Sequence, residues 1–448
     1  MLYIFYSLLI FLSAGNLIIF KLLNDLILFF VCCLIILILR EKESFIEISG
    51  LTSCLLYVSL MSFDWSKTEY SEIHVTFFIS LSYLVYIKKN ENIKYIAISG
   101  FLFSIATLIN QGSLLFLFPF IYLIYKRDKK YFPPYLFFLS GLILPHLIFL
   151  GIYYFSGLIN VYLYTLFKIP IDYTQTDFSF INEIIVFIRS IYSHNIFLFF
   201  VLLVILISLF VIFILSFSRK DIYNKNFIVD DEILIFVLFS VLFYFIAAKG
   251  YYHHTIFLIF FSVLLINQYI SKKIISLLHI LVLITTTSIF STSISSSFSN
   301  INNLENIYKN YPLRELSIEI DSYFDYEYTV LALDYNLILF YLDKPNFSYI
   351  VHPPNHFEEF ITKNLIHLNK YEEDQIRKLI GMEPDVILCS GTQIRNGIVT
   401  QIEEFNCEVS DYNKKYKKLD TNKYRYNKGL HYYPDPYREV GVYLKINE

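Results

Sequence analysis

A chain of 448 residues that is 56% hydrophobic, 19% aromatic and only 17% charged, with a mean hydropathy of +0.53, carries more apolar surface than a soluble core can absorb. Its net charge of −3 names no partner and offers none of the basic surface that nucleic acid requires. CxxC, Walker and GxGxxG patterns are all missing, so the composition describes a polytopic membrane protein with no familiar cofactor motif.

The opening stretch MLYIFYSLLIFLSAG (1–15) has no charge between residues 2 and 12, which argues against a cleaved leader with a basic n-region. An independent span over 2–20 would leave 25–40 for the next one, about 24 Å at 1.5 Å per residue. The alternative, preferred on the resemblance given below, is an apolar helix on the outer face. There Gly15 turns the chain into a span that contains Lys21, Leu22 and Asn24.

Apolar runs of span length then recur at 16–39, 46–63, 73–88, 95–110, 113–126, 133–155, 196–217, 232–248, 254–271 and 275–293. They show no strand alternation, and only helices satisfy their own backbone in lipid at this length, so about ten transmembrane helices are expected. Several are short enough to require local thinning of the bilayer. Arg40, Lys42, Lys88, Lys89, Lys94, Lys126, Arg127, Lys129, Lys130, Arg219, Lys220, Lys225, Lys272 and Lys273 fall on one side. The opposite loops hold Lys67, Lys168, Arg189 and Lys249, which makes the first side cytoplasmic and the outer side that of the C-terminus.

After STSISSSFSN (291–300) charges, Pro, Asn and Tyr become frequent. The chain therefore reads as a transmembrane domain over 1–293 and an extracytoplasmic α/β domain over 294–448. YTVLALD (328–334), NLILFYLD (336–343) and PDVILCSG (384–391) read as strands, with one helical stretch over 357–382. Cys32, Cys33 and Cys54 read as small apolar fillers in spans. Cys389 and Cys407 share the outer domain, where they either pair in an oxidising compartment or stay free and buried.

Polar groups at outer helix ends can line a wet cavity without sitting in lipid. DWSKTEYSE (64–72), NQGS (110–113) and AAKGYYHHT (247–255) qualify, and residues 156–195 look like a partly amphipathic loop able to lie over a cavity there. Each signal also has a plainer explanation. Glu69 and Glu72 could be solvated charges capping a span, the Tyr and His residues near 252 an interface anchor, and Lys249 a snorkelling cation rather than a phosphate holder. His253 and His254, being adjacent, point about 100° apart on an α-helix and lack the i, i+4 spacing of zinc helices.

Taken in order, SEIHVTFFISLSYLVYIKK, ISGFLFSIATLINQGSLLFLFPFIYLIYK and KGYYHHTIFLIFFSVLLI, followed by a terminal α/β domain, resemble the GT-C membrane glycosyltransferases. Within that superfamily the likeness is to the family of protein mannosyltransferases and lipid A aminoarabinose transferases. The resemblance puts Glu72, with Glu69 second, on the acidic residue that opens a span. It puts Gln111 on a glutamine, with Asn110 where lysine is usual, His254 beside His253 on a histidine, and Lys249 or Gly250 near an arginine.

That resemblance implies a polyprenyl-phosphate sugar donor, a lipid or glycan acceptor and transfer with inversion at the outer face of the cell membrane. It implies no cofactor; a divalent metal would suit the chemistry, but no ligand spacing in the sequence supports one. It also implies that the catalytic aspartate lies in a loop upstream of Met1, which would make the chain truncated or inactive. The competing expectations are a transporter or flippase of a lipid-linked glycan and a non-catalytic scaffold of polysaccharide assembly.

Overall fold

The structure, a computed structural model, describes residues 2–14, 16–42, 47–61, 70–88, 92–127, 132–174, 180–194, 196, 198–200, 202–203, 206, 231–246, 252–271, 312–350, 359–369, 372, 375–390, 393–395, 398–400, 415–421 and 440–446. It is mostly helical with a small mixed sheet, and it divides into two compact units, Met1–Ser297 and Phe298–Glu448. Expectations for 43–46, 207–230 and 272–311, including the run at 275–293, lie outside the described residues.

In the first unit α1 (Leu2–Leu12) is followed by α2 (Leu17–Glu41), α3 (Glu47–Leu60), α4 (Ser71–Lys88) and α5 (Ile93–Ile109). A 3-10 turn, Gln111–Phe116, leads into α6 (Leu117–Arg127), and α7 (Pro133–Phe155) follows. Among the described residues, two helical stretches, Ile19–Glu41 and Pro133–Phe155, are long and apolar enough to cross a membrane. Before α2, Ala14 adopts φ 50°, and Gly15 lies outside the described residues. A Cβ in that left-handed region costs about 1–2 kcal/mol.

The packing of these helices relies on small and hydroxyl residues. Ser82 of α4 and Ser99 of α5, both buried, donate to each other's backbone carbonyls at 2.8 and 2.9 Å. Where α5 meets α7, a Cβ on Gly100 would stand 2.0 Å from the Phe138 carbonyl oxygen, and one on Gly141 would stand 2.0 Å from that of Ala97. Only glycine permits backbones to come that near.

Residues 156–195, expected as a loop, are largely helical: α8 (Ile159–Leu163), a π-turn (Tyr164–Lys168), α9 (Ile169–Thr174) and α10 (Phe180–His194). The amphipathic pattern that suggested a surface segment is that of α10. Its Phe187 packs on Tyr244 at 4.7 Å while Ile181, Ile185 and Tyr192 face outward. The unit closes with α11 (Asp231–Ile246), a 3-10 turn (Tyr252–Thr255) and α12 (Ile256–Ser271). Helix α12 is buried on all sides from Ile256 to Ile266 and packs on α3, α4 and α11.

One end of this bundle holds an ion-pair cluster that the sequence patterns did not single out. Lys42, after α2, pairs with Glu232 of α11, and Lys126 of α6 pairs with Asp231. Lys126 also lies 3.5 Å from Glu232, and the Tyr122 hydroxyl donates to Asp231 at 2.5 Å. Glu232 is buried, so its two cations offset the desolvation of its charge.

The second unit begins with α13 (Pro312–Asp321) and β1 (Val330–Ala332), then α14 (Leu337–Leu342), α15 (Glu359–His367) and α16 (Gln375–Gly381). Next come β2 (Val386–Ser390), β3 (Gln393–Arg395), β4 (Ile398–Thr400), β5 (Tyr416–Lys418) and β6 (Val440–Lys445). The main sheet has the order β1-β2-β6-β5, with β1 and β2 parallel and the other pairs antiparallel, and β3 and β4 form a separate hairpin. Val330, Val386, Leu388 and Val442 meet α13 and α14 on one face, while Leu331, Ile387 and Tyr443 meet α16 on the other. Burial on both faces explains why β1 and β2 read as continuous apolar runs.

Two expectations are corrected here. NLILFYLD is not a strand but α14, because Ile338, Leu339 and Leu342 follow helical spacing into the core, which a run this short does not reveal on its own. The stretch 357–382 is two helices rather than one, and α15 gives way at Asn369, which adopts φ 54°. Cys32, Cys33 and Cys54 are free, whereas Cys389 is disulfide-bonded; Cys407 lies outside the described residues.

Candidate functional site

Glu72 stands in the first turn of α4, where the exposed backbone N–H groups of a helix start favour an anion. Ser71 Oγ donates to its Oε2 at 3.1 Å. At the end of α5 the chain becomes extended at Asn110, and the Asn110 side-chain oxygen accepts from the Gly112 N–H at 3.0 Å to cap the 3-10 turn. That cap fixes which way the amide faces, so Nδ2 is the atom turned to Glu72, donating to Oε1 at 3.1 Å. Gly112 is needed beside it, since a Cβ there would stand 2.9 Å from the Phe243 ring.

The third component comes from the turn that starts α12. His254 Nε2 lies 4.0 Å from Glu72 Oε1, too far for a direct hydrogen bond and close enough for a ligand atom to sit between them. His253 and His254 are 4.4 Å apart, ring centre to ring centre, and Tyr70 stacks on His253 at 4.1 Å with the planes inclined by 13°. Phe243 meets His254 edge-on at 5.7 Å. Glu72 is 3% exposed and His254 7%, so the carboxylate and the imidazole face each other in a largely dry recess.

His253 and His254 lie in a 3-10 turn, where adjacent side chains diverge by about 120°, no less than on an α-helix, yet both imidazoles come close to the same carboxylate. One ligand atom each from Glu72, His253 and His254 lie within 4.8 Å of one another. Donor atoms around a single cation stand at most about 4.2 Å apart at bond lengths near 2.1 Å, so the trio could hold a divalent ion after a small contraction.

The structure thus brings together Glu72, Asn110, His253 and His254 from three separate stretches of chain. Gln111 follows as the half-buried first residue of the capped turn. Glu69 and Lys249 lie outside the described residues. Tyr70 and Phe243 were not singled out in the sequence; the sole signal for Tyr70 is its place within the polar segment 64–72. Comparison with known protein families, with curated proteins and with solved structures finds no match.

Proposed function

We propose that the chain is a polytopic membrane glycosyltransferase of the GT-C kind, moving a sugar from a polyprenyl-phosphate donor to a hydroxyl of a lipid or glycan acceptor at the outer face of the cell membrane. The observation that carries this reading is the convergence of Glu72, Asn110 and His254 at helix ends far apart in sequence, with oxygen and nitrogen atoms 3.1 and 4.0 Å apart. The membrane reading is supported by α7, which leaves Leu136, Ile143, Leu147, Ile148 and Phe155 exposed on a helix long enough to span.

In the transfer, the acceptor hydroxyl oxygen attacks the anomeric carbon from the face opposite the phosphate and gives up its proton to water as the new bond forms. The bond from that carbon to the phosphate oxygen breaks, and the polyprenyl phosphate leaves with the electron pair. Glu72, held by Asn110 and Ser71, accepts hydrogen bonds from sugar hydroxyls. His253 and His254 donate to the phosphate oxygens, where charge grows as the bond breaks, and Lys249 adds a cation from the same segment.

The test is transfer from polyprenyl-phosphate sugars by the purified full chain in lipid. Glu72→Gln and His254→Ala should each lower transfer by about 100-fold or more, the scale of losing a group that contacts developing charge, with thermal unfolding unchanged. Wild-type rates in both variants would sink the assignment. Donor carried across the bilayer without sugar transfer would establish the flippase instead.

A further inference from the structure

Behind Tyr70 lies a second buried polar pair that the transfer scheme does not use. His74, one turn beyond the start of α4, and Asn24 of α2 are 1% and 2% exposed. The Nε2 atom of His74 faces Asn24 Oδ1 at 3.1 Å, and its Nδ1 faces the Tyr70 carbonyl oxygen at 3.4 Å. Tyr6 of α1 closes one flank, edge-on to the His74 ring at 5.5 Å.

Both ring nitrogens cannot donate unless the imidazole is a cation, which would bury a charge beside two neutral dipoles. Turning the Asn24 amide by half a revolution puts Nδ2 where Oδ1 stands, an exchange invisible to heavy-atom positions. Asn24 Nδ2–H then donates to Nε2, and Nδ1–H donates to the Tyr70 carbonyl. The tautomer is fixed, and the backbone of Tyr70 is tied to α2 through α4.

We propose that Asn24 and His74 are positioning residues for the Glu72 recess: they pin Tyr70 so that its ring covers one face of His253 and holds that imidazole beside Glu72 and His254. This rests on the recess being the functional site, but not on the transfer reaction itself. The chain of contacts is continuous: Asn24 to His74, His74 to the Tyr70 carbonyl, and the Tyr70 ring to His253 at 4.1 Å. It has a directional consequence, because the group that matters on His74 is the donor at Nδ1 and not the bulk of the ring.

The experiment is carbethoxylation of the full chain in detergent by diethyl pyrocarbonate, with the modification rate of each histidine read by peptide mass spectrometry. His253 should be slow in the wild type and faster in Tyr70→Ala. Asn24→Ala and His74→Leu should raise its rate by about two- to tenfold, the population change that loss of one buried hydrogen bond produces. His74→Asn, whose side-chain N–H falls near the lost Nδ1–H but does not reach Asn24, should react faster than the wild type and slower than His74→Leu. His146, hydrogen-bonded to Thr107 at 2.9 Å between α5 and α7, is the internal control and should not change.

An unchanged His253 rate in Asn24→Ala and His74→Leu would overturn the proposal. So would a rise shared equally with His146, which would mean general loosening, or a His74→Asn protein as reactive as His74→Leu. No sugar donor takes part, so an inert chain leaves the result interpretable. Loss of transfer in Glu72→Gln and exposure of His253 are separate outcomes.

Discussion

At the scale of single residues, the amide of Asn110 shows how one side chain can serve fold and site together. Its oxygen caps the turn after α5 and its nitrogen reaches Glu72, so the chain end and the recess are built by the same dihedral angles. A lysine, usual at this place in the resembled family, would reach the carboxylate but could not cap the turn. Glu383 has a structural role in the second unit. It sits at φ 56° just past α16, and the Lys415 hydrogen bond, with Lys445 as a second partner, holds its carboxyl below the ordinary carboxylate range. A carboxyl whose folded value is depressed contributes its stability in full above the unfolded value, about 4.3, and loses it as pH falls through the lower folded value. Amide exchange at Ile446, whose N–H donates to the Lys415 carbonyl at 2.8 Å, reports this locally. Protection there should weaken below about pH 4.5 in the wild type, and much less in Glu383→Gln. Identical pH profiles would remove Glu383 from the account.

At the scale of elements, the tightest constraint is the crossing of α5 and α7. Gly100 and Gly141 each face the other helix's backbone, so an alanine at either position must push the helices apart. Gly100→Ala and Gly141→Ala should each cost about 1–3 kcal/mol in unfolding measured in detergent, the usual penalty for overpacking. Gly151→Ala, in the same α7 with open space at its Cβ, should be neutral or stabilising. Equal behaviour of the three would mean that the two helices cross elsewhere. None of this closeness was legible in the sequence, where Gly100 and Gly141 look like any glycine in an apolar run. Helix positions were legible, because the run at 73–88 is bounded by charges at both ends and that at 95–110 by Lys94 and the polar pair Asn110 and Gln111, and α4 and α5 start and stop within a few residues of these. Glu72, Asn110 and His254 were legible for a related reason: polar residues at the ends of apolar helices are conspicuous. Tyr70, Asn24 and His74 were not, since their meeting depends on how α2 packs against α4. NLILFYLD failed differently, because six apolar residues fit a buried strand and a buried helix equally well.

At the scale of the whole first unit, the two polar clusters occupy opposite ends of the same helices. Glu72 opens α4, and Tyr83, over whose ring Lys42 lies at 5.7 Å, is about 17 Å further along it at 1.5 Å per residue. Between them the interior is apolar and aromatic, with Phe236 stacked on Phe261 at 4.6 Å and Phe116 against Phe257 at 5.2 Å. Lys42 and Lys126 both belong to the set of basic residues that the positive-inside bias assigns to the cytoplasmic side, so the orientation of the two ends is open to direct test. If Glu72 and His254 stand at the outer face, a membrane-impermeant thiol reagent should distinguish the two sides directly. In a background with Cys32, Cys33 and Cys54 replaced by alanine, Lys129→Cys should be labelled only after the membrane is opened. Asn300→Cys should be labelled on intact cells. Reversed labelling would invert the topology, placing the Glu72 recess at the cytoplasmic face, where it could serve only donors exposed on that side. Labelling of both positions on intact cells would mean that the helices between residues 129 and 300 cross an even number of times. The ten-span arrangement would then fail while the recess itself remained intact.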